Sequence, residues 1–259
     1  MKTLIFSHLY QRPGSSEETG AKLRELLGLW YEHLRGPGQF MGDVLLFSSI
    51  KGLERPGLIV QPFQNVPADS RRAFLQRILW YDQVPVREYD VAMQLDLDVL
   101  AVSDINKMFP RDERLWASPS DLLTLEWRHA WTLLPKWRRA AHRLTGWRMR
   151  ELGVSACVVA SATTTWERNF GTWARIIREH GDRPVPHFSD QSFLNLLYVK
   201  RLVPISSWSR DLIVHLDWEE TPSACLLHFP GSRKQHIPRF QRVRATEGTK
   251  MAIASPPQD

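Results

Sequence analysis

The chain has 259 residues, 43% of them hydrophobic and 24% charged, which fits one large α/β domain or two small ones with length to spare for a core. Its formal net charge of +6 suits an anionic partner such as a phosphate-bearing donor, a membrane face or nucleic acid. Only two cysteines occur, Cys157 and Cys225, both in apolar surroundings; this favours buried thiols of a reducing compartment over a disulfide framework.

In chain order, Leu4–Ser7 reads as a first strand. The three strong apolar residues Leu4, Ile5 and Phe6 fall short of the roughly 7–15 that a secretory signal requires, and no stretch approaches the roughly 20 of a membrane span. After the loop Pro13-Gly14-Ser15-Ser16, Glu17–Leu34 is helical by period. Leu23, Leu26, Leu27, Trp30 and Leu34 recur at steps of three and four, and Gly36-Pro37-Gly38 stops the helix. Val44–Phe47 and Leu58–Val60 read as strands. Ser70–Tyr81 reads as a helix capped by Ser70 or Asp69. Val91–Leu95 is an apolar strand that delivers Asp96-Leu97-Asp98 at its carboxyl end, followed at once by the apolar run Val99–Val102.

The second half begins with a helical, aromatic excursion at 122–150. It continues with a strand at Val154–Ala160, a helix at Thr165–His180, a short helix at Asp190–Tyr198 and a last strand at Cys225–Phe229. Residues 241–259 read as a polar tail, so the expectation is a single domain over 1–240. Strands alternating with helices indicate a mostly parallel sheet, and such sheets bind ligands beyond the carboxyl ends of their strands. Asp96 and Asp98 lie where that rule expects a site. Two acids one residue apart suit a hard divalent cation, which takes oxygen ligands and is commonly shared with substrate phosphates. A second signal follows the last strand: His228, whose imidazole can ligate a metal, then Gly231, which allows close backbone approach, and the cations Arg233 and Lys234.

These segments together resemble a GT-A fold glycosyltransferase. They resemble most the retaining family 8, the group that includes glycogenin and bacterial lipopolysaccharide galactosyl- and glucosyltransferases. Tyr89 to Ile105 resembles the family's strand, its Asp-X-Asp and the Ser-Asp-Ile that follows. Val154-Ser155-Ala156-Cys157-Val158-Val159 resembles its Asn-Ala-Gly strand, with Ser155 and Cys157 in place of the Asn and Gly. Asp190-Gln191-Ser192-Phe193-Leu194-Asn195 resembles its Asp-Gln helix start. Leu202-Val203-Pro204 with Trp208-Ser209 resembles its Leu-Pro…Trp-Asn segment, and His228-X-X-Gly231-X-X-Lys234 matches its closing motif. The matches fall in order over roughly residues 85–235.

The resemblance implies a Rossmann-like, mostly parallel central sheet flanked by helices. It implies Mn²⁺ or Mg²⁺ held by Asp96, Asp98 and His228, and a nucleotide-sugar donor, UDP-hexose above others. Asp96, Gly231 and Lys234 would meet that donor, with Arg72 of the trio Arg71, Arg72 and Arg77. Ser7 and His8 stand where the family carries an acid near the base. Asp190 and Gln191 would face the sugar and the incoming hydroxyl, although an Asp at a helix start also caps it. The implied activity is hexosyl transfer with retention to a hydroxyl of a glycan or lipid-linked saccharide, in bacterial glycan or lipopolysaccharide assembly.

In the excursion, Trp127, Trp131 and Leu134 share one helical face, and Trp137, Leu144 and Trp147 share another after Pro135, with Arg138, Arg139, His142 and Arg143 opposite or flanking. Such a stretch either packs on the core or lies on a membrane surface, which would place the protein in the cytoplasm at the inner face of the membrane. No nucleic-acid-binding motif accompanies it, so nucleic acid is not an expected partner. Two rival readings remain at this level. One is a sugar nucleotidyltransferase, whose glycine-rich phosphate loop Gln11-Arg12-Pro13-Gly14-Ser15 reproduces poorly. The other is a catalytically inactive nucleotide- or glycan-binding module.

Overall fold

A computed structural model describes residues 1–11, 14–62, 86–120, 153–181, 193–194, 197, 203–215 and 223–229. The expected helix at Ser70–Tyr81 and the excursion at 122–150 lie outside them. Strands β1 (Thr3–Leu9), β2 (Asp43–Ser48), β3 (Leu58–Pro62), β4 (Val91–Leu95), β6 (Leu115–Ser120), β7 (Gly153–Ala162) and β8 (Ile205–Ser207) form one seven-stranded sheet in the order β3-β2-β1-β4-β7-β6-β8. β7 runs antiparallel to both β4 and β6, and the remaining pairs are parallel. A second sheet of three short strands, β5 (Val99–Ala101), β10 (Leu226–His228) and β9 (Ile213–His215), stands beside it in the order β5-β10-β9.

Both faces of the large sheet are covered, so its strands are apolar on alternate residues in both directions. On β1, Ile5 and Leu9 join β2 residues Val44 and Leu46 in a cluster with helix α1 (Glu17–Arg35) and the small sheet. Leu4 and Phe6, with Leu45 and Phe47, face the other way into a cluster with helix α2 (Thr163–Gly181) and the helical residues Phe193 and Leu197. The α2 side is built from aromatic rings in edge-to-face chains: Phe6 on Trp166 at 6.2 Å, Trp166 on Trp173 at 5.5 Å, and Trp173 on Phe193 at 6.3 Å.

α1 starts where Ser16 Oγ accepts the amide N–H of Thr19, with Glu17 and Glu18 in the positive first turn. Its buried stripe, Leu27, Trp30 and Leu34, is the one the sequence period shows. The helix also places β5. His33 Nδ1 lies 2.8 Å from the Ala101 carbonyl, and the Ile105 amide donates to the Gly38 carbonyl. A side chain at Gly38 would come within 2.8 Å of the Ala101 methyl, so only glycine lets the post-helix loop press onto β5.

Most observed strands run past the expected bounds. β1 extends to Leu9 because its ladder with β2 continues through Leu9↔Ser48, while Ser48 Oγ donates to the Leu9 carbonyl at 2.7 Å. β5, β6, β8 and β9 were not among the expected elements. Both cysteines are buried and free. No helix among the described residues is long and apolar enough to cross a membrane.

Candidate functional site

β4 leaves the core at Leu95. The Asp96 amide makes one more ladder bond, donating to the Cys157 carbonyl at 2.9 Å, and the chain then turns tightly as the Val99 amide bonds the Asp96 carbonyl at 3.1 Å. Leu97 is buried and pins the turn to the core, leaving Asp96 half-buried and Asp98 7% exposed. The turn feeds directly into β5, which pairs antiparallel with β10 so that Val99 lies opposite His228. The Phe229 amide closes the seam by donating to the Asp98 carbonyl at 2.9 Å. This register brings His228 Nε2 to 3.8 Å from Asp98 Oδ1, both side chains nearly enclosed. Two residues from opposite halves of the chain therefore meet at the carboxyl end of the sheet.

The pair fits a divalent cation of the Mn²⁺ or Mg²⁺ class. With metal–ligand bonds of roughly 2.0–2.2 Å, neighbouring ligand atoms on one octahedral ion stand roughly 2.8–3.1 Å apart, so the 3.8 Å pair would have to close by less than about 1 Å to share one ion. Carboxylate oxygen suits such an ion, and an imidazole in the set favours the softer Mn²⁺ over Mg²⁺. Asp96 shares the turn with Asp98. Among the described residues, no group of three or more His, Cys, Asp and Glu side chains converges as a complete ligand set.

Next to the acids is a buried polar patch. Ser118, Ser155 and Cys157 are all nearly inaccessible, and the Cys157 amide donates to Ser155 Oγ at 3.4 Å. Burial pushes the Cys157 thiol up to about 12; the serine hydroxyls beside it oppose that shift and the negative charges of Asp96 and Asp98 add to it, so at neutral pH Cys157 is a thiol and not a thiolate. Sequence reasoning singled out Ser155 and Cys157 but not Ser118, which comes from a strand whose signal is only the alternation of Leu115 and Ala117.

Ser7 and His8 occupy the end of β1, the neighbour of β4. Phe6 pairs with Gln94, so both residues run past the edge at the level where β4 gives way to Asp96. His8 is buried on the α2 face, stacked on Phe47 at 5.2 Å with 12° between the rings and edge-on to Phe6. Ser7 is buried too, and strand alternation gives it the opposite face. Asp190, Gln191, Arg72, Gly231 and Lys234 lie outside the described residues.

No protein-family model and no curated protein sequence matches the chain. Solved structures do. Mouse xyloside xylosyltransferase 1 in its apo form superposes with a TM-score of 0.59 at 10% identity, covering 90% of this chain and 98% of the other. The galactosyltransferase LgtC, in complex with donor and acceptor sugar analogs, gives a TM-score of 0.59 at 12% identity over 94% and 95% of the two chains. The bifunctional glycosyltransferase WbbM gives 0.58 at 11% identity, covering 89% of this chain and 46% of that longer one. At these identities the likeness establishes architecture: the chain has the GT-A fold of glycosyltransferases, with a mixed α/β core and a mostly parallel central sheet.

Proposed function

We propose that this chain is a divalent-metal-dependent glycosyltransferase of the family 8 type, moving a hexose from a nucleotide-sugar to a hydroxyl of a glycan or lipid-linked saccharide. The observation that carries the reading is the approach of Asp98 and His228 to 3.8 Å at the carboxyl edge of a GT-A sheet. A bound cation would give the buried Asp98 carboxylate and the His228 imidazole, drawn from opposite halves of the chain, a shared partner.

In this reading Asp98 and His228 hold Mn²⁺ or Mg²⁺, with Asp96 completing the set or meeting the donor. The bound ion would act as a Lewis acid toward the charge that develops on the departing diphosphate. The protein's part is to keep the two ligands fixed before the donor arrives, so that no reorganisation is needed as that charge grows. The β5–β10 ladder and the Phe229–Asp98 bond do this. Lys234 and Arg72 are assigned to the diphosphate, and Asp190 and Gln191 to the sugar and the incoming hydroxyl. Ser7 and His8 are assigned to the nucleoside end, beside β4 on β1. Retention of configuration, a UDP carrier and a role in bacterial envelope glycan assembly belong to the same proposal and rest on the motif resemblance. So does residence at the inner membrane face through 127–150.

The test is thermal stabilisation by UDP-, GDP- and dTDP-hexoses with and without Mn²⁺, followed by an assay for slow sugar release. One carrier stabilising the chain only with metal, and then losing its sugar, is the expected result. Stabilisation by every nucleotide regardless of metal, without release, would replace the enzyme by a binding module. Pyrophosphate formation from a nucleoside triphosphate and a sugar phosphate would make it a nucleotidyltransferase.

A further inference from the structure

β7 departs from regular pairing at one place. On its β6 side the register steps from Ala117↔Val159 to Ser118↔Ser155, so Ala156, Cys157 and Val158 are passed over and the strand arches. On its β4 side the same residues stay engaged: Val158 lies opposite Leu95, and the Cys157 carbonyl takes the Asp96 amide. The arch is thus hinged to the acid-bearing turn along one edge and released along the other. Bulges of this kind recur next to active sites, where they re-aim side chains.

Gln94 is the side chain that ties the arch down. It is the one strongly polar side chain among the five residues of β4, and it is 4% exposed. Its backbone pairs with Val159, yet its side-chain amide runs along the sheet toward the carboxyl edge and Nε2 donates to the Ala156 carbonyl. Beneath the arch lies a cavity of about 10 Å³, room for one water molecule, walled by Ala156, Val159, Trp166, Trp173 and Phe193 with Gln94 itself. Packing from below therefore leaves slack, and the amide is the directional tether on that face. At 3.4 Å the bond is longer than the usual 2.7–3.2 Å, a weak but directional restraint on the arch.

We infer that Gln94 is a positioning residue for the metal carboxylates, acting through the Ala156 carbonyl and the Cys157–Asp96 bond and touching neither ion nor donor. The inference rests on the metal reading of Asp98 and His228. Partners hydrogen-bonded directly to a metal ligand change affinity by about 10–100-fold when lost; Gln94 acts through backbone links, so the low end of that range, about tenfold, is the scale set for it.

Gln94→Leu and Gln94→Met remove the donor while keeping the bulk of the side chain. Mn²⁺ binding to the full chain is measured from the paramagnetic resonance signal of the free ion, alone and with pyrophosphate, beside the thermal midpoint. The expected result is a fall of about tenfold or more in Mn²⁺ affinity in either variant, with cooperative unfolding retained. A lowered midpoint with wild-type Mn²⁺ affinity would make Gln94 structural only and overturn the inference. On the unmodified chain, Mg²⁺ titration is expected to shift the Gln94 side-chain amide resonances; unmoved resonances would also overturn it. An Asp98→Asn chain that binds Mn²⁺ like the wild type would reject the metal centre itself, a failure separable from that of Gln94.

Discussion

Replacing Asp98 by Asn is the sharpest perturbation available, because it changes charge and almost nothing else. The side chain is 7% exposed and enclosed between the β4–β5 turn and β10, so the amide occupies the volume the carboxylate held. The metal-free thermal midpoint should move by no more than about 2–4 °C, the equivalent of about 1 kcal/mol in a chain of this size. The metal response should change far more. A ligand that binds only the folded chain stabilises it by about 2.7 kcal/mol at one hundred times its dissociation constant. At about 2–4 °C per kcal/mol, that is a rise of about 5–11 °C for the wild type. Loss of the anionic ligand should weaken binding by at least about 100-fold, leaving about 0.4 kcal/mol at the same concentration and a rise of about 1 °C. Differential scanning fluorimetry across a Mn²⁺ series measures both chains directly. A full wild-type rise in Asp98→Asn would refute the assignment of Asp98 as a ligand and the chemistry built on it.

Phe229 is fully buried, and its amide anchors the Asp98 carbonyl. Phe229→Ala should cost about 3–5 kcal/mol in urea unfolding and also lower Mn²⁺ affinity; an unchanged affinity in the folded variant would detach β10 from the site. Cys157 keeps its proton to about 12 when folded, so an unfolded chain ionises first. Its stabilising contribution is present below pH 9 and declines as pH rises toward 12. Cys157→Ala should therefore show a shallower loss of stability between about pH 9 and 11 than the wild type, and equal slopes would contradict the burial of this thiol. Tyr89 donates to Asp43 at 2.7 Å near the start of β4, away from the candidate site, and burial holds its hydroxyl well above the usual tyrosine range. Tyr89→Phe should cost about 1.5–3 kcal/mol while leaving the Mn²⁺ response intact, a control separating stability from site.

The parts of this fold legible in the sequence are those set by local pattern. α1 announces itself by a periodic stripe ending at Leu34 and by the glycines that stop it, and β4 by an apolar run ending in two acids. Of the small sheet only the last strand is legible, as the apolar run Cys225–Phe229; Val99–Ala101 and Ile213–His215 are three-residue strands that depend on pairing with β10 and on packing against α1. β6 hides because Ser118 and Pro119 interrupt its apolar alternation. The first strand reads as ending at Ser7, yet the ladder to β2 carries it on through His8 and Leu9. The site divides in the same way. Asp96, Asp98 and His228 could be named from residue type and order, whereas the 3.8 Å approach depends on the β5–β10 register. Gln94 gave no signal, because a lone amide in an apolar strand has meaning only once the β7 arch above it is known.

The joint between β5 and β10 has a further consequence for biosynthesis. A growing polypeptide that has completed the large sheet and α2 already carries Asp98, but its counterpart imidazole has not yet been made. The proposed cation grip thus comes into being in a single late event, when the tenth strand docks. Until then the nascent molecule lacks the second ligand of that proposed grip.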